Sequence, residues 1–337
     1  MQTSSAVSPR DAEFDSQRES KHVIACIDSS KHARKIISHA TAVAGALRLP
    51  VTLFQVLEAP PTKAARPDPI EWDIRRHESR SALKRLSETG ANGVDAIDAE
   101  LVEGQTAEEI CRRAQAGAAE LLVLGTHGER EAGGIGSTAR HVLEKAPGAV
   151  LLVPVSTASA RTPGYRRILV PLDGSSWSES VLPLAVRLAR AADAEIILVH
   201  VIPAPELIET DPLEAEDIEL RDRLIDRNER VARSYLDRVR RYAAEPGLKV
   251  RALTLRGDDI RSSLTRFTGS ENVDLVVLST RGHGGTRVSD VPYGNVAGYL
   301  ITHSPVPVLI VRPTGLSGNT YTTAKRETAR PSVGLAV

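Results

Sequence analysis

The 337-residue chain carries 43 basic and 43 acidic residues, a zero balance that leaves no charge footprint for a nucleic-acid backbone or an anionic membrane surface. Only 3% of the residues are aromatic while Val, Leu, Ile and Ala abound, a bias suited to strands buried on both faces of a parallel sheet. The length fits two domains of ordinary size, each able to bury about two-thirds of its unfolded surface.

Residues 1–20 are Ser- and charge-rich, lack both periodicity and an apolar signal core, and read as a disordered tail. A first unit spans residues 21–157. It opens with the aliphatic run HVIACID (His22 to Asp28), a buried-strand pattern closed by turn residues, and a helical stretch follows. VTLFQVL (Val51 to Leu57) is the second strand, and a Pro-containing segment leads from it into a charged helix. AIDAELV (Ala96 to Val102) is the third strand, followed by Gly104 and the helix TAEEICRRA. ELLVLG (Glu120 to Gly125) runs into a glycine-rich loop and a helix, and AVLLVPV closes the unit. Cys26 and Cys111 stand in apolar contexts outside any metal spacing and read as buried, reduced thiols.

After a linker at residues 158–165, a second unit at 166–314 repeats the order. RILVPLD (Arg167 to Asp173) precedes a helix on which Val181, Leu184, Ala185, Leu188 and Ala189 recur at helical spacing, with Pro183 accommodated in its first turns or bending its axis. EIILVHVI (Glu195 to Ile202) leads to an amphipathic helix from about Asp217 to Ala244, whose alternating charges mark a solvated face. LKVRALTL (Leu248 to Leu255), Gly257 with the helix DDIRSSLTRF, DLVVLS (Asp274 to Ser279), a second glycine-rich loop and VPVLIVRP complete the unit, and residues 315–337 read as another disordered tail. Asp28 corresponds to Asp173, and Val56 to Val201, at a common offset of 145 residues, which grows to 154 at Gly128 and Gly282. Strands alternating with helices in one order twice indicate a duplicated α/β chain: two tandem Rossmann-like domains, each an open five-stranded parallel sheet with helices on both faces.

Ligands of such sheets bind outside the carboxyl ends of the strands, where the strand order reverses. That rule selects Asp28 and Asp173, Val56 and Val201, the loops Gly125–Gly128 and Ser279–Gly282, and the helix starts Gly136-Ser137-Thr138 and Gly294-Asn295-Val296. Glycines admit an anion close to the backbone, and unpaired amides at a helix start favour phosphate.

These residues resemble the universal stress protein family, whose pattern is a glycine, two residues, a glycine, about nine residues, then a glycine followed by Ser or Thr. The resemblance covers about residues 20–157 and 165–314. It implies a stress-response protein of the cytosol that binds ATP or a related adenine nucleotide, with Mg²⁺ accompanying a triphosphate, and responds by a change of conformation or assembly. It implies base contacts from Asp28 with Val56 and from Asp173 with Val201. Ribose and phosphates would be held by Gly125, Gly128, Gly136, Ser137 and Thr138 in the first unit, and by Ser279, Gly282, Gly294, Asn295 and Val296 in the second. Members of the family dimerise through the last strand, so AVLLVPV and VPVLIVRP are expected to pair within the chain, with a homodimer as a further assembly.

Both units depart from the pattern. Seven residues separate Gly128 from Gly136 and eleven separate Gly282 from Gly294, Ser279 replaces the first glycine, and Asn295 replaces Ser or Thr. Plainer readings stand beside the ligand site: Asp28 and Asp173 as helix caps, the glycines as tight turns, and His127 and His283 as loop residues that do no acid–base chemistry. GxSxG, GxxxxGK[ST], HExxH and a GxGxxG after the first strand are all absent. Two further functions stay open: slow ATP hydrolysis, for which Arg281 and Arg287 leave room, and a scaffold that has lost its nucleotide.

Overall fold

The computed structural model describes residues 21–58, 68–90, 97–116, 119–128, 134–154, 163–205, 215–280 and 293–312. Both tail expectations, and Arg281, Gly282, His283 and Arg287, lie outside the described residues. The first half runs β1 (His22–Ile27), α1 (Ala33–Leu47), β2 (Val51–Glu58), α2 (Pro69–Gly90), β3 (Ile97–Gly104), α3 (Thr106–Ala116), β4 (Ala119–Gly125), α4 (Ser137–Lys145) and β5 (Ala149–Val153). The second runs β6 (Arg167–Pro171), α5 (Ser176–Glu179), α6 (Leu182–Ala192), β7 (Glu195–Ile202), α7 (Ala215–Ala243), β8 (Lys249–Arg256), α8 (Ile260–Ser270), β9 (Leu275–Ser279), α9 (Asn295–His303) and β10 (Val308–Val311).

All ten strands form one sheet in the order β3-β2-β1-β4-β5-β10-β9-β6-β7-β8. Within each half every pairing is parallel, as the β-α alternation requires. The halves meet where β10 pairs antiparallel with β5, with Val308 opposite Leu152, Leu309 opposite Leu151, Ile310 opposite Val150 and Val311 opposite Ala149. The strands of one half therefore run opposite to those of the other, and their carboxyl ends emerge at opposite edges of the sheet.

Strand side chains alternate between two cores. Val23, Ala25 and Ile27 face one side with α1, α2, α6 and α7, while Ile24 and Cys26 face the other with α3, α4, α8 and α9. Each core is continuous across both halves, which explains why the central strands read as unbroken aliphatic runs. Cys26 and Cys111 share the second core as free, buried thiols, and burial, followed by the neighbouring Cys111, pushes the Cys26 thiol up to about 12.

The helix after β6 departs from the sequence reading, because it is split into α5 and α6. Pro183 has no amide to donate, and its ring would crowd the carbonyl of Glu179 four residues back, so α5 stops there and α6 takes the proline into its first turn. The ends of α1 and α6 repeat one device without glycine. Arg48 (φ 55°) and Asp193 (φ 49°) turn left-handed, and the amides of Leu49 and Ala194 then donate to Ala44 O and Ala189 O at 2.9 and 2.8 Å.

Polar links reinforce the seam. Glu120 on β4 pairs with Lys21 at 3.2 Å and with Arg187 of α6. Burial alone would raise this carboxyl, but Arg187 and Lys21 outweigh it and hold the group below its ordinary range. Arg312, just past β10, donates to Ala146 O at 3.1 Å and so places a cation at the carboxyl end of α4. His39 on α1 and Tyr165, which leads into β6, are both buried, with Nδ1 and the hydroxyl 2.8 Å apart. Burial, aided by Lys35, pulls the His39 pKa from 6.5 to about 4.

A folded-state pKa below the unfolded one means that the native chain binds fewer protons there. The wild-type stability relative to a His39→Gln variant should therefore be full above pH ~6.5 and fall by roughly 3 kcal/mol as pH drops to about 4. Urea unfolding of both proteins at several pH values checks this, and a difference that stays constant over that range would refute it.

Candidate functional site

The crevice of the first half lies over β1 and β4. The chain leaves β1 for β2 on one side and returns to β4 on the other, which makes this pair the switch point of the strand order. Asp28 follows β1 and is exposed. Its Oδ1 accepts from the Ser30 amide at 3.1 Å, and Ser30 Oγ accepts from the His32 amide at 3.2 Å, so a compact turn fixes the carboxylate. A Cβ built on Gly128 would lie 3.1 Å from Asp28 Oδ2, so residues a hundred positions apart in sequence meet directly over the switch point. Ile27 stands opposite Gln55, which places the half-buried Val56 beside the Asp28 level of the sheet.

The glycine loop is drawn onto the start of α4. The Thr126 amide donates to Val153 O at 3.1 Å, and the Gly136 amide donates to Thr126 O at 2.8 Å. A Cβ on Gly125 would meet His127 O at 3.0 Å, and one on Gly136 would meet Thr126 O at 3.3 Å. Gly125, Gly128, Gly136 and Gly294 all lack a positive φ, so left-handed backbone does not require glycine at these four, and close approach of backbone takes its place at Gly125 and Gly136. Gly136 caps α4 in an extended conformation with no side-chain hydrogen bond, which leaves the first-turn amides at Ser137 and Thr138 available to a ligand. His127 holds Thr126 Oγ1 at 3.1 Å through Nδ1, while its Nε2 is buried without a partner among the described residues.

The second half repeats this closure over β6 and β9. The Gly294 amide donates to Thr280 O at 3.0 Å, and Gly294 caps α9 in the same extended conformation. Ser279 is buried at the end of β9, Val201 is buried in the core, Asn295 is exposed and Val296 is half-buried. Gly282 lies outside the described residues. Asp173 is held more tightly than Asp28: its Oδ1 accepts from both the amide (3.0 Å) and the hydroxyl (2.6 Å) of Ser175. Ser175 in turn caps α5 by accepting from the Ser178 amide at 3.1 Å. Arg238 of α7 pairs with Glu179 at 2.7 Å, tying that helix to the same corner.

The carbonyls of Thr126 and Thr280 are what the sequence reading missed. They close both cradles, and their signal was the shared threonine at the offset of 154 residues.

The sequence profile of the universal stress protein family matches residues 19–154 and again 164–312. The chain belongs to the universal stress protein family. A universal stress protein of Methanocaldococcus jannaschii is 29% identical over 149 residues, covering 44% of this chain and 82% of that protein. One of Thermus aquaticus is 31% identical over 135 residues, covering 40% of this chain and 98% of its own. These relatives correspond to one half, consistent with a tandem of two universal stress protein units. The crystal structure of a universal stress protein from Archaeoglobus fulgidus matches the whole fold, with a TM-score of 0.60 and 16% identity over 87% of this chain and 97% of that one. No helix among the described residues is long and apolar enough to cross a membrane.

The two close approaches to rigid backbone should make Gly125→Ala and Gly136→Ala costly, each by about 1–3 kcal/mol. Gly128→Ala, which meets only a side-chain carboxylate, should cost less than about 1 kcal/mol. Chemical unfolding of the three variants tests the order, and a Gly128 variant as unstable as the other two would contradict it.

Proposed function

We propose that this universal stress protein binds ATP or a related adenine nucleotide at the strand ends of one or both halves, and acts in the cytosol by changing its surface or assembly when the nucleotide binds. The functional units are residues 21–157 and 166–314. The observation that carries the reading is the approach of Asp28 Oδ2 to Gly128 over the switch point, with the Gly136 helix start drawn against the same loop. An acceptor for a base or ribose and unpaired amides for phosphate thus share one crevice. The residues fit the ligand: Asp28 and Val56 would address the base, Gly125 and Gly128 the ribose, and Gly136, Ser137 and Thr138 the phosphates. Asp173, Val201, Ser279, Gly282, Gly294, Asn295 and Val296 are the second set. Mg²⁺ would accompany a bound triphosphate and offset its charge.

A second reading has an observation of its own. The Asp173 carboxylate is already engaged by Ser175, the residue that caps α5, which favours a second half that serves protein contacts instead of nucleotide.

Calorimetric titration of ATP and AMP into nucleotide-stripped protein, beside Asp28→Ala and Asp173→Ala, tests both readings. The Asp28 variant should lose about tenfold or more in affinity, the scale of one charge-assisted hydrogen bond. An unchanged Asp173 variant would assign binding to the first half alone. Absence of heat and of any melting shift at millimolar ATP would remove the nucleotide reading and leave a scaffold. Phosphate release that disappears with the heat of binding in the Asp28 variant would identify a slow hydrolase.

A further inference from the structure

The helices that close the two cradles can be compared residue by residue. α4 and α9 have nine residues each, begin after an extended glycine and bury the same positions: Ala139, Val142 and Leu143 in one, Ala297, Leu300 and Ile301 in the other. This register sets Arg140 against Gly298 and His141 against Tyr299.

In the first half a hollow of about 310 Å³ is lined, among the described residues, by Ile135, Ser137, Arg140, His141 and Glu144. It shares Ser137 with the cradle. Arg140 is exposed, one helical turn further on, and among the described residues its guanidinium has no acidic partner. Glu144 bounds the hollow on the far side, about 10 Å along the helix axis from Ser137.

The second half has filled the corresponding place. A Cβ on Gly298 would lie 3.0 Å from both Cδ2 and Cε2 of Tyr293, so that ring lies against the helix where the Arg140 side chain departs in the first half. Tyr299 is stacked on His303 with ring centroids 4.1 Å apart, and the Arg261 guanidinium lies 5.5 Å from its centroid. Among the described residues an aromatic wall stands where Arg140 departs in the first half.

We infer that Arg140, with His141 beside it, forms a subsite in the first half for the terminal phosphates of a nucleoside polyphosphate, and that the second half, which has Gly298 at this position, does not distinguish ligands by phosphate number. This rests on the nucleotide reading of the cradle. A phosphate chain anchored at the Ser137 and Thr138 amides reaches the guanidinium one turn away, whose planar fork matches two phosphate oxygens. A monophosphate ends at the amides and does not reach it.

The test uses the full-length chain in an Asp173→Ala background, so that the first half dominates the signal, with ATP and AMP as probes in calorimetry. Arg140→Gln should weaken ATP about tenfold or more while leaving AMP within about twofold, and Arg140→Lys should recover part of the ATP affinity. Equal losses for both nucleotides, or none for either, would overturn the inference while the nucleotide reading stands. If neither nucleotide binds the parent protein, both readings fall. An unchanged melting temperature in each variant, expected for an exposed side chain, separates a binding loss from misfolding.

Discussion

The pairing of β5 with β10 sets the architecture. AVLLV is buried at all five positions, so neither face of β5 tolerates water. Left as an edge it would present unpaired amides and carbonyls along an aliphatic strand, the configuration most prone to indiscriminate pairing. Its partner supplies the same chemistry, with leucine, valine and isoleucine opposite one another in register. The true edges of the ten-stranded sheet are built differently. β3 carries Asp98, Glu100 and Glu103, of which Glu100 pairs with Arg113 at 2.8 Å and Glu103 with Arg76 at 2.6 Å, and β8 carries Lys249, Arg251 and Arg256, of which Arg251 pairs with Glu271 and Arg256 with Glu229. Charge has been placed where the ladder ends and withheld where it must continue.

An antiparallel seam between parallel halves has a functional corollary. Because the strands reverse direction across it, the candidate sites open at opposite ends of the strands. The seam also makes the cores common property, with one core per sheet face and none per half, each running through both halves. α4 joins the first cradle to the seam, with its start at the glycine loop and its end held by Arg312 from beyond β10. The two halves are thus joined by one antiparallel strand pair within a single chain.

Much of this was legible in the sequence for a definite physical reason. Strands buried on both faces write themselves as aliphatic runs, and a duplication writes the same run twice at a constant offset, so β1 and β6, β2 and β7, and the Asp-x-Ser turns could be paired by counting. Features that depend on a tertiary approach were not legible. The Glu120–Arg187 ion pair across the seam and the buried His39–Tyr165 bond join residues whose separations carry no periodic signal. The split of α5 from α6 fell between these cases: Pro183 announced a disturbance, and the structure shows it as a break with the proline in the first turn of α6.

The glycine loops show why pattern length is a poor guide to geometry. Their insertions differ, with seven residues between Gly128 and Gly136 and eleven between Gly282 and Gly294, yet both loops end in one hydrogen bond from the capping glycine to a threonine carbonyl, at 2.8 and 3.0 Å. That bond fixes where the helix starts relative to the end of the strand in both halves. The cradle is therefore the constrained part of each half, and divergence concentrates one turn beyond it. There the first half exposes a guanidinium and the second packs Tyr293 over a glycine. The duplication thus keeps one backbone frame at the two cradles and presents a guanidinium beyond the first and a ring beyond the second.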